Sequence, residues 1–114
     1  MSNVKILTDS LADIPPEILK ELEITTVPCT VRFGTAEYLD RVNLFPTEFY
    51  HKLVASPTLP TTAFPSSQRF EEVYRQMAQT TDRILAIHTI ASLTGIYNAS
   101  RIAAENITNA RIEL

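Results

Sequence analysis

Glycine is scarce here: Gly34 and Gly95 are the only two in 114 residues. That excludes the glycine-rich phosphate loops of nucleotide-binding proteins, which need several glycines in one turn. Cysteine is scarcer still. The single Cys29 cannot form an internal disulfide, so a reducing compartment is the default. Positive charge is nowhere clustered. With a net charge of −3 and no run of Lys or Arg, the chain lacks the cation density that binding to nucleic acid or to an anionic membrane surface requires. No apolar stretch approaches the roughly 20 residues needed to cross a bilayer. The start, Met1-Ser2-Asn3-Val4-Lys5, lacks the layout of a signal peptide, and a cytoplasmic location is expected. His51 and His88, the two histidines, stand too far apart for metal-ligand spacing.

What is present suits a globular domain. Hydrophobic residues make up 45% and charged residues 20%, and the length suffices for one small core. Val4-Lys5-Ile6-Leu7-Thr8 reads as a buried strand ending in the polar turn Asp9-Ser10. Asp13 ahead of Pro15 and Pro16 suits a helix start, running to about Leu22. Residues 24–33 read as a second strand, interrupted or lying at an edge because of Pro28. Gly34 marks a turn and 36–39 a short returning strand. Residues 46–55 are helical by pattern, with Phe49, Leu53 and Val54 on one side. Pro57, Pro60 and Pro65 make the next stretch a loop. Ser66 or Ser67 caps a helix in which Phe70, Val73, Tyr74 and Met77 recur at helical spacing. Ile84-Leu85-Ala86-Ile87 is a third buried strand. A last helix has Ile96, Ala99, Ala103 and Ile107 on its inner face, and Arg111-Ile112-Glu113-Leu114 begins another strand. Alternation of this kind predicts an α/β fold, a mainly parallel sheet with helices on both faces.

In such sheets ligands bind beyond the carboxyl ends of the strands. Three hydroxyl-rich segments are expected there: Thr8-Asp9-Ser10, the Thr61-Thr62 loop, and Ser92-Leu93-Thr94-Gly95. The last opens a helix, whose free N–H groups and partial positive charge favour an anion. Gly95 allows close backbone approach. A carboxylate or phosphate headgroup would suit these groups. Plain capping by Ser92 or Thr94, and a local turn bond at Thr62, are the commoner uses of such residues.

Two rival readings compete with a binding site. Asp9 at a strand end could accept a phosphoryl group in a small-anion enzyme domain. No nearby carboxylate completes a metal site with it, however, and Asp commonly orders a turn. Ser10 lacks the G-x-S-x-G nucleophile turn. His51 is expected in solvent, His88 at a strand end, and Cys29 as a small buried hydrophobe. The other rival is a structural domain that self-associates through exposed apolar surface and an unpaired sheet edge.

Four segments, in order and at matching intervals, resemble the DegV family of bacterial fatty-acid-binding proteins. Ile6-Leu7-Thr8-Asp9-Ser10-Leu11-Ala12-Asp13-Ile14-Pro15 is similar to that family's TDSxxDLP opening. Val27-Pro28-Cys29-Thr30-Val31 and Phe49-Tyr50-His51-Lys52-Leu53 follow. Leu59-Pro60-Thr61-Thr62-Ala63-Phe64-Pro65-Ser66 resembles the PxTSQPS loop. Residues 87–97, Ile87 through Tyr97, resemble the IxISSxLSGTY segment. The resemblance implies a long-chain fatty acid as ligand, with its carboxylate on the hydroxyls of Thr62 and Thr94. Ser10, Ser92 and Gly95 would belong to the same pocket. It implies no catalytic residue, metal or cofactor. It also implies a separate fatty acid kinase as partner, and a chain 1–114 that is the N-terminal α/β domain without the family's C-terminal domain. Ala63-Phe64 stands where the family has Ser-Gln, and Ile90-Ala91 where it has Ser-Ser, so the headgroup region is less polar here.

Overall fold

The structure, a computed structural model, describes residues 3–89 and 94–114. It contains two sheets. Strand β1 (Val4–Asp9) lies at the centre of the first, flanked by β2 (Ile24–Val27) and β6 (Arg83–Ala86), with β7 (Arg111–Glu113) outside β6. All three pairings are parallel. The chain steps from β1 to β2 in one direction and from β6 to β7 in the other. Right-handed crossovers then set the connecting helices on opposite faces. Helix α1 (Pro16–Glu21) lies against β2, while α3 (Ser67–Met77) and α4 (Ile96–Glu105) pack on each other. The second sheet is antiparallel, in the order β4 (Ala36–Leu39), β3 (Thr30–Phe33), β5 (Thr61–Ala63). Helix α2 (Pro46–Ala55) reaches it through Phe49, whose ring lies 5.8 Å from that of Phe33.

One core joins the parallel sheet to α3 and α4. Leu7, Val27, Phe70, Tyr74, Ile84 and Ile96 are fully buried in it, with Ala99 and Ala103 completing the inner face of α4; Ile107, expected on that helix face, is buried just beyond the helix end. Small alanines on that face let α4 approach closely, and each large buried side chain contributes roughly 1.5–3 kcal/mol. Ser66 caps α3 by accepting the Arg69 amide at 3.1 Å.

Several expectations are corrected. Residues 24–33 are not one strand: Pro28 and Cys29 separate β2 in the parallel sheet from β3 in the antiparallel one. Proline cannot donate to a ladder, and the chain changes sheets at that point. Asp13 does not cap α1. It takes a left-handed conformation (φ 51°) after a 3₁₀ turn at Ser10–Ala12, and Pro15 precedes α1 without a side-chain cap. Val54 is 88% exposed and shares no buried face with Phe49 and Leu53. The proline-rich loop contains strand β5, which pairs with β3 through Thr62 opposite Val31.

Candidate functional site

The two sheets meet at the carboxyl end of the parallel one. The reversal of strand order between β1 and β6 makes a crevice there, the usual place for a ligand in an open α/β sheet. Thr8, Asp9, Ala12, Ile87, His88 and Thr89 line a cavity of about 230 Å³ in it. The Thr8 hydroxyl donates to the Ile87 carbonyl at 2.8 Å and ties the two strand ends together.

Beneath this crevice runs a buried chain of polar side chains. Asp9 Oδ2 is 2.7 Å from His88 Nδ1, His88 Nε2 is 2.9 Å from Ser100 Oγ, and Ser100 Oγ is 2.5 Å from the Tyr74 hydroxyl. The Leu11 amide donates to Asp9 Oδ1 at 2.9 Å. One orientation leaves no polar hydrogen without an acceptor. In it Tyr74 donates to Ser100, Ser100 to His88 Nε2, and His88 Nδ1–H to Asp9. Burial pushes the Tyr74 phenol above its ordinary range, and the Ser100 hydrogen bond only partly offsets this. The connectivity of Ser100, His88 and Asp9 is that of a nucleophile, its base and an orienting acid. Ser100 is nevertheless fully buried inside α4, and the side chains of His88 and Asp9 are 0% and 2% exposed. No substrate reaches that hydroxyl, and the chain instead fastens α4 and α3 to the sheet ends. The acid at β1 and the histidine near β6 were each legible as strand-end residues, but their pairing was not. His51 is exposed, as expected.

Thr62 lies on β5 and lines a second cavity of about 200 Å³, with Val31, Phe45, Pro46, Phe49 and Tyr50 as its apolar wall. Asp13, Asp40 and Arg41 complete the lining. Arg41 donates to Asp13 at 2.9 Å, and both residues have positive φ, 62° and 51°. Non-glycine residues held in that region store strain, which proteins concentrate near functional sites. Thr94 immediately precedes Gly95 and α4. Its Oγ1 accepts from the Ile96 amide at a long 3.4 Å, a weak cap. Gly95, the N-cap residue, makes no side-chain cap. The strand bearing Thr62 and the turn bearing Thr94 meet through Phe64. Its ring atoms lie 2.6–3.2 Å from where a Cβ on Gly95 would stand. Ser10 is buried, and its Oγ accepts the Cys29 amide at 2.9 Å, fixing the corner where β2 ends. Ser92 lies outside the described residues. Cys29 is buried, and burial holds its thiol above the ordinary range. Among the described residues, no group of three or more His, Cys, Asp or Glu side chains could hold a metal ion. No helix among them is long and apolar enough to cross a membrane.

Comparison with known proteins agrees with this fold. A DegV domain-containing protein of Caldanaerobacter subterraneus is 34% identical over 114 residues, which is all of this chain and 40% of that protein. The crystal structure of DegV, a fatty acid binding protein from Bacillus subtilis, superimposes with a TM-score of 0.92 at 25% identity, over 98% of this chain and 40% of that one. A stearic-acid-binding protein from Eubacterium ventriosum superimposes with a TM-score of 0.85 at 30% identity, over 97% of this chain and 40% of that one. The chain thus spans about two fifths of the length of these relatives. The family profile described as "Uncharacterised protein, DegV family" matches residues 3–114, and the chain belongs to the DegV family.

Proposed function

We propose that this chain is a lipid-binding module, not a catalyst, and contributes the site for one long-chain fatty acid. The tail enters the apolar cavity walled by Val31, Phe45, Phe49 and Tyr50. The carboxylate lies between the hydroxyls of Thr62 and Thr94, at the positive end of α4. Ser10 belongs to the same polar end in this reading. The observation that carries this reading is the Phe64–Gly95 contact. It brings the Thr62 strand and the Thr94 turn together beside an apolar cavity, in a fold shared with proteins that bind fatty acids.

Magnitudes divide the labour. Each buried CH₂ is worth about 0.8 kcal/mol, against about 0.5–1.5 kcal/mol net for a hydrogen bond. The tail therefore sets affinity, and the hydroxyls set orientation. A cavity of about 200 Å³ is smaller than the roughly 300–1,000 Å³ of ligand pockets. The described residues thus enclose part of the ligand. Within this reading the protein works in the cytoplasm and presents the carboxylate to a separate fatty acid kinase.

Native mass spectrometry of the chain purified from a bacterial host, followed by lipid extraction, tests the proposal. A bound C16–C18 acid that is lost from the Thr62→Ala/Thr94→Ala variant is the expected result. Retention of the acid by that variant would remove both hydroxyls from the site.

A further inference from the structure

We infer that Asp9 and Ser10 are positioning residues for the proposed carboxylate site, the first fixing the turn that bears Thr94 and the second the strand that bears Thr62. This deepens the fatty-acid reading above and rests on it. The two residues are consecutive at the carboxyl end of β1 and are 2% and 1% exposed. Their side chains serve different parts of the fold. Asp9 Oδ2 lies 2.7 Å from His88 Nδ1, and His88 Nε2 lies 2.9 Å from Ser100 Oγ. Ser100 follows Gly95 by five residues, about 7.5 Å along the axis at the α-helical rise. The Gly95 carbonyl already accepts the Ala99 amide at 3.0 Å. Gly95 and Ser100 therefore belong to one rigid helix, and where Ser100 is held decides where the first turn of α4, and Thr94 before it, stand. Ser10 Oγ accepts the Cys29 amide at 2.9 Å. Thr30, the next residue, begins β3, and β3 pairs its Val31 with Thr62. The Cys29 anchor thereby sets the place of Thr62 through a backbone ladder.

Energetics separate positioning from stability. A buried carboxylate–imidazole link must be stripped of water, and such links are often no more stabilising than apolar side chains of the same volume. What they add is direction. A hydrogen bond fixes a distance and an angle, whereas apolar contact lets a helix slide. One carboxylate reaches two hydroxyls only when both stand within hydrogen-bond distance of it, so a shift of about 1 Å in either support breaks one of the two bonds. Asp9 accepts at both oxygens, from the Leu11 amide on Oδ1 and from His88 on Oδ2. An asparagine there has one acceptor oxygen and cannot replace both bonds.

The test compares hexadecanoate and hexadecanol, alike in tail and different in headgroup, by competition against a fluorescent fatty acid on the whole chain. Wild type is set beside Ser10→Ala on one arm and Asp9→Asn and Ser100→Ala on the other. Ile107→Val, which trims the core outside this network, controls for lost stability alone. Wild type should prefer the acid by about tenfold or more. Each network variant should lower that preference at least about threefold, by weakening the acid and leaving the alcohol within about twofold. Ile107→Val should leave the preference unchanged, and an equal drop there would overturn the inference. Chemical denaturation checks each fold, and Asp9→Asn and Ser100→Ala cut the same link at its two ends, so either one carries that arm. An unchanged preference in folded Ser10→Ala would overturn the role of Ser10, and in the folded variants of the other arm that of Asp9, with the fatty-acid site left standing. Failure of wild type to prefer hexadecanoate would overturn the carboxylate site and this inference together.

Discussion

Gly95 and Phe64 form an interlocked pair. The backbone of Gly95 is helical (φ −78°), so alanine fits there conformationally and would ordinarily stabilise by about 0.4–1 kcal/mol. The ring of Phe64 reverses that expectation, because a methyl group there overpacks the contact. Gly95→Ala should cost about 1–3 kcal/mol in urea denaturation. The same change in a Phe64→Ala background should cost nothing or stabilise, a coupling that a double-mutant cycle reads directly. The buried Asp9–His88–Ser100–Tyr74 chain gives a second residue-scale expectation. Ser100→Ala leaves the Tyr74 hydroxyl and His88 Nε2 without their shared partner, at a cost of about 1–3 kcal/mol. The Tyr74 phenol also links stability to alkaline pH. Its folded pKa is raised above the unfolded value, chiefly by burial, so the neutral phenol stabilises the fold fully below the unfolded pKa of about 10. That stability is lost as pH rises from there through the folded pKa. Thermal melts from pH 8 to 11 should show this loss, and Tyr74→Phe should reduce it.

At the scale of elements, legibility followed locality. Helix α3 announced itself through Phe70, Val73, Tyr74 and Met77, and all four are buried. Its cap was legible too, and Ser66→Ala should cost about 1 kcal/mol of stability by thermal melt. Helix α4 showed its inner face through alanines and isoleucines at helical spacing. Strand β5 was hidden because its three residues are all exposed and sit among prolines. Its pairing with β3 is tertiary, and strand propensity is weak where packing context decides. The division of residues 24–33 between two sheets was signalled by Pro28, but the second sheet itself was not. Of the candidate site, the hydroxyls could be read from helix starts and loops. The Phe64–Gly95 contact could not, since it joins segments 31 residues apart in sequence and depends on where β5 docks. The Asp9–His88 pair spans 79 residues and exists because β1 and β6 are neighbours, an adjacency no single sequence displays.

The whole molecule is elongated, 51 × 28 × 22 Å, with a radius of gyration of 15.2 Å, against about 13 Å for a compact domain of this length. The antiparallel sheet and α2 account for the extension, and α2 buries no residue fully. Val54 and Leu59 are 88% and 84% exposed, and β2, β7 and β4 are sheet edges. Surfaces and edges of this kind favour self-association. Sedimentation velocity should show a mass that rises with concentration, and Val54→Asp should reduce the rise. The proposed fatty-acid site would draw on both lobes of this shape, with its tail cavity against the antiparallel sheet and its headgroup end on α4. The most direct test is a two-dimensional amide NMR titration of the chain with hexadecanoate. Thr62, Thr94, Gly95 and Ile96 should shift together along one binding curve, with Val31 following the tail. Shifts confined to one of the two segments, or their absence at saturating ligand, would contradict a shared carboxylate site.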